Sequence, residues 1–383
     1  MKIGVPKERR PGERRVAASP DTVKRFVGQK VEVLVERSAG VSAAILDEAF
    51  EKAGARLVDD VGALWSEADL ILKVQCPMSA GEGELDEIAL ARKGLFLIGT
   101  LNPHQNREQV EGLAKAGVTA FAMELLPRTT RAQSMDVLSS QANLAGYRAV
   151  LDGLAEFPRA MPMMMTAAGT VPPAKVFILG AGVAGLQAIA TARRLGAVVA
   201  ATDVRPASKE EVQSLGAKFI GVPIEDAATK GGYARQLTDE ERKKQAEMVA
   251  ETMKTQDLVI TTAAIPGRKA PVLITREVVE TMKPGSVIVD LAVETGGNCE
   301  LSEPGKVVEH HGVKIVGHTN VPSRLAPDTT LLYARNLYNF TQLLIDQESG
   351  ALKVDLEDDL VKGTLVTRDG EIVHEQLKQS QAA

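Results

Sequence analysis

Short β-branched, apolar runs recur along the first third of the chain: KIGV, VEVLVE, LILKVQ, GLFLIGT and VTAFAMELL, the last ending near residue 126, with helix-like segments between them. Strands alternating with helices predict βαβ units and a largely parallel sheet. A second series starts at AKVFILG and continues through AVVAATD, AKFIGV, DLVITTAAI, SVIVDLA and VKIVGHTN. The expected fold class is therefore α/β, with two doubly wound, mostly parallel-sheet (Rossmann-like) domains joined by two long helices.

Between the two series, Ser134 to Ala160 sets Val137, Leu138, Leu144, Val150, Leu151 and Leu154 at helical intervals, with no proline before Pro158. One long helix is expected to leave the first sheet there. A second proline-free segment, Thr329 to Gln347, follows APDTT, where Asp328 or Thr329 is placed to cap it, and it is expected to lead the chain back. The domain bounds that follow are 1–136 with 328–383 for a discontinuous first domain carrying both termini, and 137–327 for an inserted one. In the tail, TLVTRDGEIVHE alternates on either side of Asp369-Gly370, a local hairpin signal. From Pro223 to Leu237, PIEDAATKGGYARQL has no periodicity and two adjacent glycines. It reads either as a surface loop or as a ligand lid carrying Tyr233. Thr238 to Glu241 then forms a capping-box pattern for the next helix.

At 383 residues the chain exceeds a usual single core, which agrees with two domains. Its 45 basic and 50 acidic side chains form no basic stripe, so nothing points to nucleic acid. The opening KERRPGERR is interleaved with glutamates and reads as a solvated loop. Cys76 and Cys299 are far apart, with no second cysteine or clustered histidine beside either. That argues against a metal site or a disulfide framework and fits a reducing compartment. MKIGVPKERR lacks the apolar run of a secretory signal. The longest uncharged stretch, Val176 to Ala192, falls short of the ~20 residues a membrane span needs, so no span is expected.

That same stretch contains GAGVAG, with glycines at 180, 182 and 185 between a predicted strand and a predicted helix. Gly180 permits the tight turn, Gly182 lets backbone approach a pyrophosphate, and Gly185 allows close helix packing. The helix N-terminus supplies free N–H groups and positive dipole. Asp203 stands 18 residues beyond Gly185 at the end of the next strand, where a carboxylate accepts hydrogen bonds from the adenosine ribose and repels a 2′-phosphate. NAD is preferred over NADP on that ground, although Arg205 nearby is of the type that accommodates the phosphate. A dehydrogenase acting on an alcohol or amine also needs a general base. Of His104, His310, His311, His318 and His374, only His318 lies at the C-terminal end of a predicted strand. With no assignable partner carboxylate it reads as a polar loop anchor rather than a base.

Five segments, RTTRAQSMDVLSSQANLAGYRAV, MMMTAAGTVPP, GAGVAGLQAIATARRLGAVVAATDVR, PGSVIVDLAVETGGNCELSEPG and VGHTNVPSR, extend the match well beyond a glycine fingerprint. Over essentially its whole length the chain resembles the NAD(H)-binding domain I, or α subunit, of proton-translocating nicotinamide nucleotide transhydrogenases. The resemblance puts Arg128, Gln133, Asp136 and Ser139 around the nicotinamide. It also puts Gly180, Gly182, Val183, Gly185, Asp203, Val204, Arg205 and Ala264 at the nucleotide, with Tyr233 on a mobile loop. These residue types suit such roles: Gln133 can bond a ribose or carboxamide, Asp136 and Ser139 can orient it, and Arg128 is long enough to reach the pyrophosphate.

Alanine dehydrogenase shares the fold and is a useful control. Its substrate arginine is present as Arg15, but its lysine position reads Gln75, its histidine position Asn102, and an aspartate of its VDIA segment Glu294. Losing the proton-handling pair suits hydride exchange between two nicotinamides, which releases no substrate proton and depends on orientation and exclusion of water. The resemblance implies NAD(H) on this chain, NADP(H) on a partner domain and no metal. It further implies a separate membrane subunit that moves protons, a homodimer with MPMMMTAAGTVPP either shared between subunits or buried in one, and a peripheral place on the cytoplasmic face of the inner membrane held through partners. The alternatives are an alanine-dehydrogenase-like oxidoreductase and a non-catalytic NAD sensor.

Overall fold

The computed structural model describes residues 1–221, 238–264, 268–346 and 349–379. The chain divides into two compact units, Met1–Gln141 with Ser323–Ala383, and Ala142–Pro322. The boundaries fall a few residues from the bounds of 136 and 327 drawn from sequence; packing decides them rather than the start of a helix.

In the first unit the sheet runs Glu371–Ile372, Leu365–Arg368, Thr119–Ala122, Phe96–Thr100, Leu70–Gln75, Lys2–Val5, Glu32–Glu36, Arg56–Val58. Its first six strands in chain order are parallel, and only the C-terminal hairpin is antiparallel. Alternate residues serve opposite faces. Ile3, Val33, Leu70 and Leu72 pack with Phe26, Phe50, Tyr333 and Phe340, while Leu34, Ile71 and Leu97 pack with Leu64, Trp65 and Leu113. Both faces are covered, which is why these strands read as continuous apolar runs.

The second unit repeats the winding: Lys218–Phe219, Val198–Thr202, Lys175–Leu179, Leu258–Thr261, Val287–Asp290, Val313–Val316 and an antiparallel Val307–His310. Val176, Ile178, Leu258 and Ile260 face Ala149 and Ile189. Phe177, Leu179, Val259 and Ile288 face Val249 and Met253. In both units the order third, second, first, fourth, fifth places a reversal of strand order between the first and fourth strands, where open α/β sheets bind ligands.

The hairpin at Asp369-Gly370 forms with φ of 52° and 89° at the two turn residues, pairing Arg368 with Glu371. The capping box forms as well: Glu241 N donates to Thr238 Oγ at 3.2 Å and Thr238 N to Glu241 Oε2 at 2.8 Å. Three expectations need correction. The long helix spans Val137–Glu156, preceded by a 3-10 turn, Thr130–Met135. The later helix runs Ala326–Thr341, so neither Asp328 nor Thr329 caps it. Pro327 occupies its first turn, where the missing N–H costs nothing, and the Thr329 hydroxyl donates back to Leu325 O at 2.9 Å. The methionine-rich segment is buried within neither unit. Met164–Thr166 and Gly169–Val171 form a two-stranded hairpin with Met163, Met164 and Met165 exposed, Met165 to 76%. Among the described residues no helix is long and apolar enough to cross a membrane.

Candidate functional site

The strand Lys175–Leu179 ends in Gly180 at φ 99°, which a side chain would strain, and the helix Val183–Arg194 starts two residues later from Gly182. No side chain caps that helix, so its first amides face outward with the positive end of the dipole. The glycines differ in what surrounds them. A Cβ on Gly185 would lie 1.9 Å from Gly180 O, and one on Gly180 would lie 2.6 Å from Thr262 Oγ, whereas a Cβ on Gly182 meets nothing within 4 Å. Packing demands the outer two; open space before the uncapped amides marks the middle one, and a pyrophosphate fits it.

Neighbouring strand ends brace this turn. Thr262 Oγ donates to Gly180 O at 3.0 Å. Asn298, fully buried, accepts from Ala263 N at 3.0 Å and donates to Ala263 O and Pro271 O, each at 2.8 Å. Asp290, also buried, accepts from Thr261 Oγ, Ser302 Oγ and the N–H groups of Ala292, Asn298 and Cys299. Sequence reasoning missed Asn298, whose only signal is an amide amid glycines in GGNCE. Asn298 holds the backbone just before Ala264, which is exposed.

Asp203 sits where the ribose-reading carboxylate is expected. Its Oδ2 accepts from Ala181 N at 2.7 Å and Arg205 Nη2 at 3.0 Å, and its Oδ1 from Arg205 N at 2.8 Å and Arg205 Nε at 3.0 Å. The hydrogen bond to Asp203 raises the Arg205 guanidinium pKa. With four donors on the carboxylate, ribose hydroxyls gain access only as Arg205 lets go. His318 is half-buried just beyond Val313–Val316. Tyr233 lies outside the described residues.

In the first unit Arg128 and Gln133 are exposed, Gln133 on the 3-10 turn whose Ala132 and Met135 are buried. Asp136 and Ser139 are engaged with each other: Asp136 Oδ1 accepts from Ser139 N at 2.9 Å and Oδ2 from Ser139 Oγ at 2.6 Å. This is an N-cap interaction for Val137–Glu156.

The reversal point of the first sheet is filled by its own charges. Arg15 donates to Glu13 at 2.7 and 2.8 Å and to Gln141 at 2.8 Å, and Gln75 Nε2 donates to Glu13 Oε2 at 3.0 Å. Burial opposes ionisation of Glu13, but Arg15 and the Gln75 amide bring its pKa down to about 2. Beside it the fully buried Lys73 contacts Glu87 at 2.8 Å and Glu8 at 3.2 Å. Burial pushes Glu8 up to about 7 despite Lys73. Asn102, at φ 45°, donates its N–H to Glu124, and Glu294 Oε2 accepts from Asn320 N at 3.0 Å. Gln75 and Asn102 thus present amides where alanine dehydrogenase has a lysine and a histidine. Among the described residues no group of His, Cys, Asp or Glu is arranged to hold a metal.

Comparison with known proteins agrees with this architecture. Residues 4–145 match the family described as "Alanine dehydrogenase/PNT, N-terminal domain" and residues 149–375 its C-terminal domain. The chain is 61% identical over 377 residues to the first portion of the NAD(P) transhydrogenase subunit alpha of Rhodospirillum rubrum, covering 98% of each. It is 32% identical to the alanine dehydrogenase of Halomonas elongata, covering 98% of this chain and 95% of that one. The solved transhydrogenase structure from Sinorhizobium meliloti superposes with a TM-score of 0.88 at 54% identity, covering 97% of this chain and 100% of that chain.

Proposed function

The chain belongs to the alanine dehydrogenase/PNT family, and from that premise we propose that it is the NAD(H)-binding subunit of a proton-translocating NAD(P) transhydrogenase, exchanging hydride between NADH and NADP+ held on a partner domain. The observation that carries this reading is the pairing of a glycine turn open at Gly182 with amides, Gln75 and Asn102, where a substrate dehydrogenase needs proton acceptors. Such a site binds and aligns but does not deprotonate.

When bound, the nucleotide supplies the hydride at C4 of its nicotinamide. The chain's residues do the rest. The N–H groups at the start of Val183–Arg194 hold the pyrophosphate, with Val183 and Val204 beside it. Asp203 accepts the ribose hydroxyls and disfavours a 2′-phosphate, with Arg205 as its counter-charge. The resemblance of RTTRAQSMDVLSS supports Arg128 reaching the pyrophosphate and Gln133 orienting the nicotinamide, while the Asp136–Ser139 pair fixes the start of the helix beneath them. Ala264 and Tyr233 complete the nucleotide contacts.

Names of relatives as subunits support a multi-subunit complex. Within it we assign proton movement to a membrane subunit and this chain to the cytoplasmic face. The exposed Met163–Met165 ridge supports a homodimer. The test is reconstitution: the purified chain alone oxidises NADH with no small acceptor, and adding the NADP(H)-binding partner switches on stereospecific deuteride transfer from NADH to NADP+. Turnover of pyruvate and ammonia with NADH by the chain alone would instead establish an alanine dehydrogenase.

A further inference from the structure

We propose that Asn336 is a positioning residue for Gln133, setting the direction in which that side chain leaves its turn; the inference rests on the proposed role of Gln133 in hydride transfer. Gln133 lies near the end of the 3-10 turn Thr130–Met135, and Asp136, with φ −74° and ψ 94°, joins that turn to the helix Val137–Glu156. A short 3-10 turn has weaker hydrogen-bond geometry than an α-helix. A single extended residue between the two elements therefore lets the turn rotate on the helix unless something spans the joint.

Asn336 spans it. Its Nδ2 donates to Ser134 O at 2.9 Å, on one side of Asp136, and its Oδ1 accepts from Ser140 Oγ at 2.7 Å, on the other. Asn336 itself is 7% exposed on Ala326–Thr341, so water competes little for either bond. Asn339 adds a second donor to the same Ser134 carbonyl at 2.9 Å. Ala132 and Met135 are anchored in the core on either side. Gln133, exposed between them, takes its direction from the peptide that Asn336 grips.

The variants are Asn336→Asp, which keeps an acceptor for Ser140 but turns a carboxylate oxygen toward Ser134 O, and Asn336→Ala, which removes both bonds and adds no charge. Each is assayed in the reconstituted complex for kcat, KM for NADH and melting temperature, alone and combined with Gln133→Asn. The expected result is a fall in kcat of about 10- to 100-fold with KM for NADH changed less than about 3-fold, since misplacement by ~1 Å costs rate rather than binding. The double variants are expected to transfer hydride about as slowly as the worse single, because both changes remove one orienting function. A folded Asn336 variant with wild-type kcat, or losses that multiply with Gln133→Asn, overturns the proposal. If Gln133→Asn itself leaves kcat unchanged, the role of Gln133 falls first, and the proposal with it.

Discussion

Replacing Gly182 and Gly185 separately by alanine should divide binding from stability. At Gly185 the new Cβ would lie 1.9 Å from Gly180 O and 2.9 Å from Gly180 C, so the helix must back away by more than an ångström. Gly180 has no room to yield, because its N–H donates to Thr202 O at 2.9 Å and its carbonyl accepts from Thr262 Oγ. Overpacking of this kind costs about 1–3 kcal/mol, a fall in melting temperature of roughly 2–10 °C for a chain this size. At Gly182 nothing lies within 4 Å and φ is −74°, a conformation alanine adopts freely. The cap change costs about 1 kcal/mol or less. The methyl group then occupies the space in front of the first helical amides. Losing one charge-assisted hydrogen bond of about 1.5–3 kcal/mol weakens NADH binding roughly 10- to 100-fold. NADH fluorescence titration gives the affinity and circular dichroism the melting temperature. Gly182→Ala should melt nearly like wild type and bind poorly, and Gly185→Ala should fail on both counts. If Gly182→Ala binds NADH within about twofold of wild type, well short of a lost hydrogen bond, the backbone there does not meet the pyrophosphate.

Gln133→Asn shortens the proposed orienting group by one methylene and should slow hydride transfer more than it weakens NADH binding; equal losses contradict an orienting role. Asp203→Ser removes the charge opposing a 2′-phosphate and leaves Arg205 available to it, so the NADH-over-NADPH affinity ratio should fall by about tenfold or more; an unchanged ratio shows that Asp203 does not read the ribose. Glu8 is held near 7 by burial, above its unfolded value of about 4.3. A carboxyl raised in this way contributes most below the unfolded pKa, loses that contribution as pH climbs towards 7, and is level beyond. Glu8→Gln, neutral throughout, should therefore gain on wild type by about 3 kcal/mol between pH 4 and pH 8, read from urea midpoints; a gap independent of pH rules this out.

The two parallel sheets were legible because buried strands leave unbroken apolar runs, and GAGVAG was legible because glycine spacing reflects backbone needs. The strand Arg56–Val58 was not, being three residues long and partly exposed. Val307–His310 hid for another reason: as an edge strand it alternates exposed with half-buried residues inside a polar stretch. The start of Ala326–Thr341 was misread because Thr329 is a good cap by type, and only the structure shows its hydroxyl spent on Leu325 O. Around the site, Asp203 was found by its position after a strand. Its saturation by Arg205 was invisible, since nothing in the spacing of two residues says which way a guanidinium folds. Asn298 and Asn336 act through partners 35 and 202 residues away, and one sequence records no such pairing.

Both units wind their strands in one order, yet only one crevice is vacant enough to host a guest. In the other, Glu8, Lys73, Glu87, Glu13 and Arg15 neutralise each other where a coenzyme would lodge. A repeated architecture has thus been split between reception and ballast. Calorimetric saturation should accordingly stop at one dinucleotide per polypeptide, and an enzyme that exchanges electrons between two must borrow its second berth from another chain.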